Sequence, residues 1–145
     1  MEKLDRQILS LLARDGRMSY TDIGKTTGLS TSAAQQRVRK LEQRGVISGY
    51  KAVIAPEQLG LMLTAFVEVK PFFAEQPDDT PELLRDIEQI VSCYSVAGEA
   101  NYLLKVQVGN AAELEDLLAV IRSKGKVSTH TTVVLSVPYE DRPAV

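Results

Sequence analysis

Between positions 31 and 40 the chain places Thr31, Ser32, Gln35, Gln36, Arg37, Arg39 and Lys40. Hydroxyls and carboxamides each carry a donor and an acceptor, which suits the mixed donor and acceptor edges of bases in the major groove. Guanidinium and ammonium groups carry fixed positive charge, the property that binds phosphates and dominates affinity for a nucleic acid. The chemistry on offer is recognition of a double-stranded polyanion, with Ser32, Gln35 and Gln36 as candidates for base edges and Thr31 as a further DNA-binding candidate. Arg37, Arg39 and Lys40 are the candidates for phosphates, and Arg44 lies one turn further on.

Bond-making chemistry has no comparable constellation. His130 is the only histidine, and no Cys, His or carboxylate cluster accompanies it to ligate a metal or build a catalytic triad. No phosphate-binding glycine loop or nucleophile elbow is present. Cys93 is the only cysteine and lies in an apolar, strand-like run, which predicts a buried structural thiol. His130 is expected at a surface or an interface. The expectation is a protein that is not an enzyme and carries no metal or cofactor.

Recognition groups need a rigid helix to carry them, and the flanking residues supply one. Leu4, Ile8, Leu11 and Leu12 recur at helical spacing and predict a first helix from about residue 3 to 13, stopped by Asp15-Gly16. Ser19 with Asp22 three residues later resembles a capping box and starts a second helix. Gly28 ends that helix in the left-handed conformation, and Ser30 is a natural N-cap for a third. In the third helix Ala34, Val38 and Leu41 point to the first two, leaving Ser32, Gln35, Gln36, Arg39, Lys40 and Gln43 on the opposite face. Two short helices joined by a tight turn, the second polar on its outer side, form a helix-turn-helix. Gly45 closes the third helix, and residues 49–54 read as a strand leaving the head.

Charge is divided along the chain. Residues 1–50 hold nine Lys or Arg against five Asp or Glu, a net of +4, while residues 51–145 hold eight against fourteen, a net of −6. A basic head on an acidic body suits a DNA-binding module joined to one that does something else. With 44% hydrophobic and 25% charged residues there is enough apolar material for a core. No apolar run approaches the ~20 residues of a membrane span, so no membrane partner is expected. The opening MEKLDRQIL is charged at once and shows no secretory leader, so the expected compartment is the cytoplasm.

The body alternates signals. Strands are predicted at 64–69, 91–97, 102–108 and 127–137, with helices from Thr80 to Ile90 and from Ala111 to about Arg122. Pro71 to Pro81 is a polar loop. The order strand, helix, strand, strand, helix, strand is the split ferredoxin-like βαββαβ pattern, with both helices on one face of an antiparallel sheet and the other face open to a second copy. The last strand is apolar enough on both sides that its pattern does not say which side meets the helices. The fold class is therefore α+β: residues 1–50 a winged-type helix-turn-helix, 51–60 a linker strand or hinge, and 61–145 the ferredoxin-like body.

Through LDRQILSLLARDGRMSYTDIG, GLSTSAAQQRVRKLEQRGVISGY, VAGEANYLL and THTTVVL, the chain resembles the Lrp/AsnC (feast/famine) family of transcription regulators over nearly its whole length. The resemblance implies a body of the RAM (ACT-like) type, a homodimer formed through the body sheets, and assembly into octamers or other multiples of dimers. It implies pseudo-palindromic DNA as partner and a small-molecule effector, usually an amino acid, bound at a cleft between subunits. It also places the effector loop at Gly98-Glu99-Ala100-Asn101-Tyr102, with Thr129 and Thr131 as hydroxyl candidates. Many members carry Asp where this chain has Asn101. An architectural DNA-organising protein of the same fold, answering to no metabolite, is the alternative.

Overall fold

The computed structural model describes residues 1–145. Contacts divide them into two compact units, Met1–Val53 with the tail Tyr139–Val145, and Ile54–Pro138.

The first unit holds α1 (Lys3–Arg14), α2 (Tyr20–Thr27) and α3 (Thr31–Gln43). Its starts and stops follow local chemistry. The Ser19 hydroxyl accepts from the Asp22 N–H and the Ser30 hydroxyl from the Ala33 N–H, so each cap satisfies a donor that its helix leaves free. Gly28 ends α2 at φ +78°, and its N–H donates to the Gly24 carbonyl. Ile8, Leu12, Ile23, Ala34, Val38 and Leu41 form the core, with Leu9, Met18, Tyr20, Leu29 and Ile47 packed around it. Each fully buried aliphatic side chain there contributes about 1.5–3 kcal/mol.

The expected strand over 49–54 is not formed: no other strand runs beside this segment to pair with its backbone, and Tyr50, Val53 and Ile54 are exposed. The head is three helices without a wing. The tail groups with the head, where Arg14 Nη1 donates to the Val145 carbonyl at 3.3 Å.

The second unit begins with a short 3-10 turn (Pro56–Leu59) and continues as β1 (Leu63–Pro71), α4 (Thr80–Leu84), β2 (Ile90–Ser95), β3 (Tyr102–Val108), α5 (Ala111–Gly125) and β4 (Val127–Val133). The four strands form one antiparallel sheet in the order β2-β3-β1-β4. The βαββαβ expectation holds, and alternation along the strands explains why. Ala65, Val67 and Val69 from β1 and Leu104, Val106 and Val108 from β3 are buried with Leu84, Leu114, Leu117 and Ile121 from the helices. Asn110 caps α5 by accepting from the Glu113 N–H.

Two expected boundaries need correction. The helix after Thr80 stops at Leu84 rather than reaching Ile90, because Ile90 already pairs with Val106 as the first residue of edge strand β2. Thr80 is the buried first residue of α4, and Asp79 occupies the cap. The last strand ends at Val133, since its partner β1 begins at Leu63 and only the Val134 N–H still reaches it, at the Thr64 carbonyl.

The side of β4 left open by sequence is settled by pairing. Val127 is buried and Thr129 and Thr131 are half-buried on the helix side, while Ser128, His130 and Thr132 are exposed on the open face.

Candidate nucleic-acid interface and effector site

α3 presents its outer face as the spacing dictates. Ser32, Gln36, Arg39, Lys40 and Gln43 are exposed, and Ala34, Val38 and Leu41 fix the opposite side in the core. Thr31 is exposed as well, with its hydroxyl 3.3 Å from that of Thr21 on α2. Gln35 is half-buried at the edge of the face.

Arg37 departs from expectation. Its Nη1 donates to Asp5 Oδ1 at 3.0 Å and to Glu2 Oε2 at 3.1 Å, both at the start of α1. These two hydrogen bonds, that to Asp5 first, raise its pKa further above the ordinary value. Both bonds leave from Nη1, so Arg37 is tied to the acidic start of α1, a pairing that its reading as a phosphate candidate did not include. Its position carried the signal: at about 100° per residue it lies some 60° from Ala34, on the flank of the apolar stripe.

Sequence reasoning also missed Gly24, which sits buried inside α2. The Leu29 N–H and the Gly28 N–H both donate to its carbonyl, and a Cβ built on it would lie 2.4 Å from the Leu29 carbonyl oxygen. The turn between α2 and α3 closes directly over this residue. A glycine within an amphipathic helix, four residues before its terminating glycine, was the available sign.

In the body, Glu99 and Thr129 border one cavity, although the Thr129 hydroxyl itself is engaged by Arg122 on the helix side. The cavity, of about 310 Å³ at one end of the sheet, is lined also by Glu68, Lys70, Ala100, Ser128 and His130. Glu68 Oε2 lies 3.2 Å from His130 Nδ1. The loop is closed by the Val96 N–H on the Asn101 carbonyl and anchored by the Asn101 N–H on the Val69 carbonyl.

Gly98 is exposed at its tip, with no atom within 4 Å of a built Cβ. Asn101, like Gly98, is exposed and outside the cavity lining. Tyr102 and Thr131 are not brought to this cavity. The Tyr102 hydroxyl donates to Asp78 Oδ1 at 2.6 Å on the helix side, a bond that pushes its pKa up to about 12. Thr131 faces the same side through its β4 register. The Thr129 hydroxyl accepts from Arg122 Nη1 at 3.3 Å.

Cys93 is exposed, not buried as its apolar run suggested, because α4 is too short to cover the β2 edge. Partial desolvation still pushes its thiol pKa up. His130 is exposed on the open face as expected. No helix is long and apolar enough to cross a membrane.

Comparison with known proteins finds two family models along the chain. Residues 1–42 match the AsnC-type helix-turn-helix domain, and residues 64–144 match the Lrp/AsnC ligand binding domain. The HTH-type transcriptional regulator LrpA of Mycobacterium tuberculosis is 48% identical over 142 residues, covering 98% of this chain and 95% of that protein. The leucine-responsive regulatory protein of Escherichia coli is 35% identical over 142 residues, covering 93% and 85%. A feast or famine regulatory protein from M. tuberculosis, solved with L-methionine, superposes with a TM-score of 0.94 at 48% identity, covering 98% and 97% of the two chains. A three-helix DNA-recognition head, a ferredoxin-like body and these matches along nearly all of both identify the chain as a member of the Lrp/AsnC family of transcription regulators.

Proposed function

We propose that this regulator senses a zwitterionic amino acid at the 96–101 loop and acts in the cytoplasm as a homodimer that builds octamers or other multiples of dimers. The observation that carries the reading is the mixed charge of the loop cavity. Glu68 and Glu99 suit an α-ammonium group, Lys70 and His130 suit a carboxylate, and the Ser128 hydroxyl serves either. The related M. tuberculosis protein solved with L-methionine supports the ligand class. The open sheet face, with Phe66, Leu103 and Val134 half-buried and Tyr94 exposed, supports pairing with a second copy.

The mechanism is linkage. A ligand that binds one assembly geometry better than another shifts the spacing of the DNA-reading heads. A coupling of ~1–3 kcal/mol changes DNA affinity about fivefold to a hundredfold.

A thermal-shift screen of the full chain against the twenty amino acids, with and without DNA, identifies the effector. Gly98→Asp is then expected to abolish the effect of that amino acid on DNA affinity and to leave DNA binding without it unchanged. No atom of the chain crowds Gly98, so a folding defect does not confuse the result. A response that survives the substitution moves the site elsewhere. Binding to long DNA that ignores both sequence and every amino acid favours an architectural protein instead.

A further inference from the structure

We propose that Asp5 and Arg37 form a clamp that sets the orientation of α3 on DNA, so that an acidic residue of the head supports binding to a polyanion. The inference rests on the reading of α3 as the recognition helix. Arg37 is on α3 between the core residues Ala34, Val38 and Leu41 and the exposed residues Gln36 and Lys40. It reaches across to Asp5 in the first turn of α1 and to Glu2 at the α1 N-cap. The Asp5 side chain is 13% exposed, whereas Glu2 is 72% exposed, so Asp5 is the firmer anchor and Glu2 a peripheral one.

Close packing of Ala34, Val38 and Leu41 fixes which side of α3 is buried, but apolar burial is non-directional and leaves small shifts in roll. A charge-assisted bond has a fixed length and direction and removes that freedom. The core residues of α3 set its depth, and the Asp5–Arg37 bond sets its roll. Roll decides whether Ser32, Gln36 and Gln43 meet base edges or miss them. Asp5 and Arg37 are thus positioning residues for the contacts made by others. Asp5 lies in the first turn of α1, the end of the helix where the dipole favours a negative side chain.

The proposal makes a prediction with an unusual sign. Asp5→Asn removes a negative charge from a DNA-binding head, which by electrostatics alone strengthens binding. The clamp requires it to weaken binding. The probes are a duplex selected from a random-sequence pool by the wild-type full chain and a random-sequence duplex of the same length. Affinities are measured for wild type, Asp5→Asn, Arg37→Gln, Arg37→Lys and the Asp5→Asn/Arg37→Gln double variant. All are measured at a temperature where circular dichroism shows each fully folded.

Asp5→Asn and Arg37→Gln should each lose about fivefold or more on the selected duplex, the low end of the cost of one base-edge pair. Little should be lost on the random duplex, with the wild-type slope of log affinity against log salt. The double variant should lose no more than either single one, because both break the same bond. Arg37→Lys should keep more affinity than Arg37→Gln, since both bonds leave from the one nitrogen Nη1 and an ammonium can donate to the same carboxylates.

Three results overturn the clamp. Tighter binding by Asp5→Asn, with a salt slope reduced by about 0.9 in Arg37→Gln, makes Arg37 a phosphate contact that Asp5 competes for. Lower melting temperatures with unchanged affinity in the folded proteins make the pair merely structural. Equal losses on the selected and the random duplex mean that orientation is not what was lost. If the wild type forms no complex at low salt, the recognition-helix reading itself fails, and that outcome is separate from all three.

Discussion

Replacing Gly24 by alanine should destabilise the head, although the same replacement at an open helical site stabilises. In a helix interior alanine is favoured over glycine by roughly 0.5–1 kcal/mol. At position 24 the added methyl carbon would stand 2.4 Å from the Leu29 carbonyl oxygen, and 3.3 Å and 3.4 Å from the carbonyl carbons of Leu29 and Ser30. Close C···O contacts in proteins run to about 3.3 Å, so the shortfall is about 0.9 Å. The crowded atoms are backbone and cannot swing aside by a rotamer change. Moving them displaces Leu29 from the core edge and Ser30 from its cap on α3.

Overpacking of this kind costs about 1–3 kcal/mol and occasionally more, which outweighs the propensity gain and leaves a net loss of about 1–2 kcal/mol. For a unit of this size that lowers the melting temperature by about 5–15 °C. The assay is calorimetry on the full chain, following the transition that belongs to the head. Gly16→Ala and Gly98→Ala serve as controls: a Cβ at 16 finds only ordinary contacts at 3.5 Å and beyond, and one at 98 finds none. Both should stay within about 0.5 kcal/mol of the parent. A Gly24→Ala variant that melts at or above the parent temperature refutes the claim that the turn closes over this residue.

Three further outcomes follow from the same geometry. Ser30→Ala removes the hydroxyl that accepts from the Ala33 N–H at 3.1 Å and should cost about 1 kcal/mol in chemical denaturation; an unchanged midpoint would mean that water replaces the cap without loss. Arg39→Ala and Lys40→Ala should each weaken DNA binding across all sequences and reduce the log–log salt slope by ~0.9, and an unchanged slope removes that residue from the phosphate set. Tyr102 keeps its proton to about pH 12 in the native body through its bond to Asp78, whereas an unfolded tyrosine loses it near pH 10. The stabilisation is therefore whole at neutral pH and drains away as pH rises from about 10 to 12. Urea denaturation across that range should show Tyr102→Phe less alkali-sensitive than the parent, and equal sensitivity would assign the loss to other groups.

The head was legible because its rules are local. A cap needs one hydroxyl three residues before a free N–H, and both Ser19 and Ser30 obey it. The body was legible as an order of elements, since period two and period 3.6 differ clearly in β3 and α5. The stretch from Thr80 to Ile90 was not. Leu83, Leu84, Ile87 and Ile90 satisfy a helix, but they also satisfy one short turn of helix followed by a turn that feeds an edge strand. Pairing of Ile90 with Val106 decides between them, and β3 lies well beyond that window. The failed burial of Cys93 follows from the same shortened helix.

The candidate residues whose partners differ from expectation share a different cause. Periodicity divides a helix or a strand into an inner and an outer side, but a residue on the flank is assigned by its partners. Arg37 is a phosphate candidate by its charge, yet its flank faces the acidic start of α1, where Nη1 donates to Asp5 and Glu2. Tyr102 and Thr131 matched a motif by order along the chain, but strand register turns both to the helix side, where Asp78 captures the tyrosine hydroxyl. In each case the residue type was read correctly and the neighbour was missing. A charged or hydroxyl residue within about 60° of an apolar stripe should therefore be tested first against opposite charges on the packed element, and only then against a ligand.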